Sequence, residues 1–187
     1  MIEKHKTSPK DIFLQLLAIV TLYGSAVAFL TLLYQFINIW FPDRLDYYSV
    51  TNAYNSIRFA VSSLIIVFPV YLWVMRFLEK SYAKEPEIRE IRIRKWLVNF
   101  TLFAAGLIIM GDLVALVNSF LGGELTARFM LKVFSVFLVS GAIFWYYYWD
   151  MKGTKPPGGM KLFSWVVIGA VCVGVVSAFF MVGSPQQ

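Results

Sequence analysis

The chain has one cysteine, Cys172, and one histidine, His5, and only 15% of its 187 residues are charged. A single cysteine excludes an internal disulfide and any multi-cysteine metal site. A single histidine, in the N-terminal tail, excludes a bis-histidine haem, a histidine-rich zinc site and a Ser/His/Asp triad. Soluble domains carry about 25% charged and about 45–50% apolar residues. Here 59% are apolar and 18% aromatic, with a mean hydropathy of +0.67. That balance excludes a disordered chain, a disulfide-stapled secreted domain and an ordinary water-soluble enzyme, and leaves an integral membrane protein. The net charge of +6 is distributed between apolar runs rather than along one stripe, so no nucleic-acid partner is expected. No Gly-rich phosphate loop occurs, and Asp112 is the only acid inside a span, so an aspartyl dyad has no second carboxyl. No enzyme activity, metal or cofactor is expected.

What is present is a series of long charge-free runs. A run of about 18 or more apolar residues is a candidate transmembrane helix. Five spans are expected, at about 12–40, 58–78, 96–121, 126–149 and 162–182, making one all-α transmembrane bundle of residues 1–187. Ser8, Pro9 and Asp11 form a helix start: a cap, a proline at the first helical position and an acid near the positive end of the dipole. Ala26-Val27-Ala28 resembles a leader cleavage site, but apolarity continues to Phe41, which favours a retained helix. Pro69 is expected to kink the second span. The cluster Phe144-Trp145-Tyr146-Tyr147-Tyr148-Trp149 reads as an aromatic belt at a membrane surface. Barrel strands are disfavoured, because they are shorter and alternate strictly.

Lysines and arginines divide unequally between the two sides. Lys4, Lys6 and Lys10 precede the first span. Arg76, Lys80, Lys84, Arg89, Arg92, Arg94 and Lys95 lie between the second and third, and Lys152, Lys155 and Lys161 between the fourth and fifth. The opposite side has only Arg44, Arg58, Arg128 and Lys132. The positive-inside rule then predicts a cytoplasmic N-terminus and an external C-terminus.

Three groups of residues are candidates for function. Gly122-Gly123 is a natural turn, with Asp112 ten residues before Gly122 and Lys132 nine after Gly123. Both therefore lie about 14–15 Å along antiparallel helices, at one depth. Glu124, Arg128 and Lys132 share one helix face, and Asn118 with Arg128 forms a shallower rung. On the third span, Ala105, Ile108, Asp112, Ala115 and Ser119 form a small, partly polar face expected to point inward. An unpaired charge in the bilayer core costs at least about 2.5–3.5 kcal/mol, so an Asp112–Lys132 pair is expected. It either lines a polar path or fixes the docking of two helices. The second group is Gly24, Ala28, Ala170, Gly174 and Ala178, small residues that let helices approach closely, within one chain or across a homo-oligomer seam. The third is a cytoplasmic basic helix at about 85–95, with Glu85/Arg89 and Glu90/Arg94 as i,i+4 pairs. Its Arg89, Arg92, Arg94 and Lys95 are expected to attract anionic lipid headgroups. The three-residue spacing of Arg89, Arg92 and Lys95 is that of a voltage sensor, but these residues precede the span rather than lie in it.

Residues 8–23 (SPKDIFLQLLAIVTLY), 57–72 (IRFAVSSLIIVFPVYL), 92–97 (RIRKWL) and 111–132 (GDLVALVNSFLGGELTARFMLK) resemble an uncharacterised prokaryotic multi-span membrane family, domain-of-unknown-function family 5671. The resemblance covers about residues 8–150. It implies a bacterial inner-membrane protein and brings no activity and no catalytic residue. The leading functional expectation is movement of an ion, a proton or a small polar solute through the charged network. The alternative is a non-catalytic membrane subunit or scaffold that binds a partner through small-residue faces or the basic helix. A reporter fused after Gln187 is expected to be active only in its extracytoplasmic form; a cytoplasmic signal overturns the orientation.

Overall fold

A computed structural model describes residues 9–41, 49–84, 88, 91–123, 125–151 and 159–183. Ser8, Arg89, Glu124 and the linker at 152–158 lie outside the described residues, as does most of the segment 85–90. Five helices follow in order: α1 (Pro9–Trp40), α2 (Ser49–Lys84), α3 (Arg92–Leu121), α4 (Ala127–Met151) and α5 (Gly159–Gly183). Among the described residues there is no strand. All five helices are long and apolar enough to cross a membrane, and the chain is a multi-pass membrane protein.

Local chemistry explains the helix ends. Pro9 opens α1 and Asp11 lies in its first turn. Gly122 and Gly123 close α3: their N–H groups donate to the carbonyls of Asn118 at 3.0 Å and Phe120 at 3.2 Å. Gly123 has φ +70°, a conformation that a Cβ would oppose. Thr126 Oγ1 then accepts from the Phe129 N–H at 3.2 Å, capping α4. The helix α2 begins earlier than expected, at Ser49 rather than near 58. The buried stripe Ala53, Ile57, Ala60, Leu64 and Phe68 continues through that start and gives it something to pack on. It also runs unbroken through Pro69.

The arrangement centres on α1, which touches all four other helices. It pairs antiparallel with α2 over its whole length. There Gly24 lets Val67 approach, since an added Cβ would sit 3.4 Å from its methyl group. The α3–α4 hairpin packs on one side of α1, around Ile19, Leu22, Leu97, Val98 and Tyr147. On the other side α5 lies against α2 and α1, where Val171 and Ala178 join Ala28, Leu32 and Phe36. A Cβ on Gly174 would lie 3.3 Å from the Phe29 ring and 3.4 Å from Leu32. Of the five small residues, Ala28, Gly174 and Ala178 are thus buried in packing within one chain, whereas Gly24 touches Val67 but is exposed. Ala170 is exposed. Because α4 and α5 dock on different sides of the α1–α2 pair, they scarcely meet.

Candidate functional site

Antiparallel pairing fixes the heights of the charged residues. Arg94 and Asp150 form a salt bridge between α3 and α4. Asp112 is 18 residues beyond Arg94, and Lys132 is 18 residues before Asp150, so these two share a height. On α2, Arg58 and Arg76 are also 18 residues apart. The α1–α2 pairing sets Arg58 level with Tyr34, whose ring lies 5.6 Å from the Lys132 ammonium. Three helices therefore carry charge at the same two levels, about 27 Å apart at 1.5 Å per residue. A hydrocarbon core is about 30 Å thick. Between those levels, residues 59–75, 96–111 and 133–149 contain no Asp, Glu, Lys or Arg. The two levels are two charge belts, one at each boundary of the apolar slab. Asp112 and Lys132 belong to the far belt rather than to the middle of the membrane.

At the far belt the expected Asp112–Lys132 pair does not form. The face of α4 that carries Arg128 and Lys132 is turned to α1, not α3. Arg128 donates from Nε and Nη2 to Asn38 Oδ1 at 3.1 and 2.9 Å, and Asn38 donates to Gln35 Oε1 at 3.0 Å. Lys132 rests over Tyr34, one turn away. The shallower rung with Asn118 is replaced by the one with Asn38, and Asn118 is exposed. One carboxylate oxygen of Asp112, Oδ2, is buried without a hydrogen-bond partner. The inward face proposed for the third span holds only at its near half. Ala105 is 4% exposed, but Ile108 is 47% exposed and Ala115 is open. The far half of α3 has α4 on one side and little on the other.

The near belt is more completely joined. Arg94 pairs with Asp150 and lies over the Tyr82 ring, 5.2 Å from its centroid. Gln15 of α1 donates to the Tyr82 hydroxyl. Four helices thus meet through one guanidinium, and a cavity of about 60 Å³ beside it is also lined by Glu79. Arg94 is 8% exposed, so it is a buried partner of Asp150 and not a headgroup ligand. Arg92 and Lys95 point outward as expected, though they belong to the first turn of α3 rather than to a separate helix. The run of cations around Arg94 concealed its role. The available signal was the equal spacing 94/112 and 132/150.

The gap between α4 and α5 forms a half-open cleft of about 390 Å³. Its walls are apolar, with Phe29, Phe68, Val139 and Val171 facing each other. Its near end is polar, with Arg76, Glu79, Tyr71, Tyr146 and Tyr147. It runs from Glu79 to Phe68 along α2 and from Tyr147 to Leu138 along α4, about 14–17 Å. That is close to one leaflet of hydrocarbon, about 15 Å. Ser25 lies on the wall, 7% exposed, with no partner for its hydroxyl. Among the described residues no three His, Cys, Asp or Glu side chains gather as metal ligands.

The family model described as "Domain of unknown function (DUF5671)" matches residues 11–147, which covers α1 to α3 and most of α4. No curated protein and no solved structure matches the chain.

Removing one member of a buried pair costs about 3–5 kcal/mol, because the other charge is left in apolar surroundings. Arg94→Ala is expected to show a loss of that order in mixed-micelle unfolding. The joint change Arg94→Met with Asp150→Leu should recover most of it. Asp112→Asn, which breaks no pair, should stay within about 0.5 kcal/mol of wild type. Equal losses for Arg94→Ala and Asp112→Asn would refute this assignment.

Proposed function

The chain belongs to the DUF5671 family of unknown function, and we propose from its own geometry that it is a non-catalytic subunit that binds an apolar molecule or chain segment inside the membrane. The observation that carries this reading is the half-open cleft left between α4 and α5. Pockets of about 300–1,000 Å³ with apolar walls and a few polar groups at one end are the usual form of a small-molecule site. The membrane is a prokaryotic cytoplasmic one, with the near belt on the cytoplasmic side. The distribution of lysine and arginine supports that orientation. The basic segment and the small-residue faces contribute little to partner binding in this reading. Arg94 is engaged with Asp150, and three of the five small residues are buried within the chain.

The reading predicts that purified protein retains lipid-like molecules that survive release from the micelle and are seen by native mass spectrometry. Ala142→Phe and Ala170→Phe both place a ring in the cleft and should abolish that retention while the protein stays folded. Unchanged retention in both variants defeats the proposal.

A second reading, movement of an ion, proton or small polar solute, is favoured by one observation: the unpartnered carboxylate oxygen of Asp112. A buried polar atom without a protein partner is a place where a water or an ion can bind. Arg128 and Lys132 are held by α1, so the path would run along the open far half of α3, past Asp112 and Asn118. Proteoliposomes should then conduct protons or alkali cations, and Asp112→Asn should reduce the flux at least about tenfold, as removal of a required general acid or base does. Flux equal to that of empty liposomes, or unaffected by the substitution, rules this reading out.

A further inference from the structure

We propose that the occupant of the cleft is a single hydrocarbon chain ending in an anionic head, a carboxylate or a phosphate, with the head at Arg76 and the tail pointing toward the bilayer midplane. This inference rests on the cleft reading above and names the ligand class for it. Three features support it. The first is length: the cleft, from its polar end inward, is about one leaflet deep, which suits a chain that enters from the side and stops at the midplane. The second is the position of the polar end. Arg76 lies at the near belt, level with Arg94, where the head of a leaflet lipid sits.

The third is a surplus of donors. Tyr71, Tyr146 and Tyr147 line the cleft end, and their hydroxyls have no hydrogen-bond partner among the described residues. Arg76 brings a guanidinium with five N–H donors and forms no ion pair among the described residues. Against these donors the cleft end offers one carboxylate, Glu79, which also lines the small cavity beside Arg94. Arg76 is exposed and the tyrosines line the half-open cleft, so an oxygen-rich, acceptor-only group seated at this end gains hydrogen bonds from several donors at once. A carboxylate or phosphate supplies those acceptors and balances Arg76. An alcohol or ester head supplies fewer acceptors and no charge. A quaternary ammonium head has no acceptor for the tyrosines and meets the arginine with like charge.

The test uses the full chain reconstituted in phosphatidylcholine membranes, with stearic acid spin-labelled near the chain end, its methyl ester, and phosphatidylglycerol labelled at the same carbon. Electron spin resonance separates chains held by protein from chains in the fluid bilayer. Ionised stearate is expected to be held about fivefold more strongly than its methyl ester, the worth of one cation–anion contact at a membrane surface. Arg76→Gln should remove that preference, and Ala142→Phe and Ala170→Phe should remove the held component itself. If phosphatidylglycerol is held as strongly as stearate, the head is that of a bilayer lipid; if stearate alone is held, the occupant is a free single-chain acid. Equal holding of stearate and its methyl ester, with both lost on filling the cleft, overturns the anionic head and leaves the cleft reading standing. Holding that persists in both filled variants places the lipid on the outer surface and overturns both.

Discussion

A charge held in the middle of a bilayer costs at least about 2.5–3.5 kcal/mol, and the chain distributes its charges accordingly. On α2, α3 and α4 they stand 18 residues apart, close to the thickness of the hydrocarbon they must avoid. What polarity remains between the belts is mostly self-contained. Thr21, Thr101 and Ser135 donate to the carbonyls of Leu17, Leu97 and Leu131 on their own helices. The belts therefore set the vertical position of the bundle, and the near belt also ties its helices together. Arg94 engages α4 through Asp150 and α2 through Tyr82, and Tyr82 receives Gln15 from α1. A single guanidinium serves both of its contacts because its plane can pair with a carboxylate and still lie on a ring.

Lateral order comes from shape. Lipid tails are as apolar as leucine, so helices in a bilayer gain little from burying apolar surface and associate where they fit closely. Gly24 against Val67, and Gly174 against Phe29 and Leu32, are such fits. They commit α2 and α5 to chosen faces of α1. The α3–α4 hairpin takes another face, through Leu97, Val98 and Tyr147. The cleft is the space between these two commitments, and beyond its polar end its walls are apolar because the stretches of α1, α2, α4 and α5 that border it carry mostly apolar side chains.

Much of the fold was legible in the chain itself. Charge-free runs gave the five helices, Gly122-Gly123 gave the hairpin, and counting residues gave the shared height of Asp112 and Lys132. Rotation about the helix axis was not legible. A helix apolar on all faces does not announce which face it buries, and α1, which turned out to hold Arg128 and Lys132 through Asn38 and Tyr34, had no feature naming it as their partner. Arg94 was hidden for a different reason: within Arg92–Lys95 every residue but Ile93 is basic, and only packing separates the one that turns inward. The cleft could not be read at all, since it arises where α4 and α5 fail to meet.

The central position of α1 bears on how the molecule is built. It precedes its partners in the chain, so it is synthesised before them. As the ribosome delivers α2, then the α3–α4 hairpin, then α5, each newcomer finds its docking surface already seated in the bilayer. Assembly can proceed by successive addition to a fixed post, with no rearrangement of earlier joints. The last arrival, α5, closes against a surface already formed by α1 and α2, and only then does the side chamber acquire its second wall.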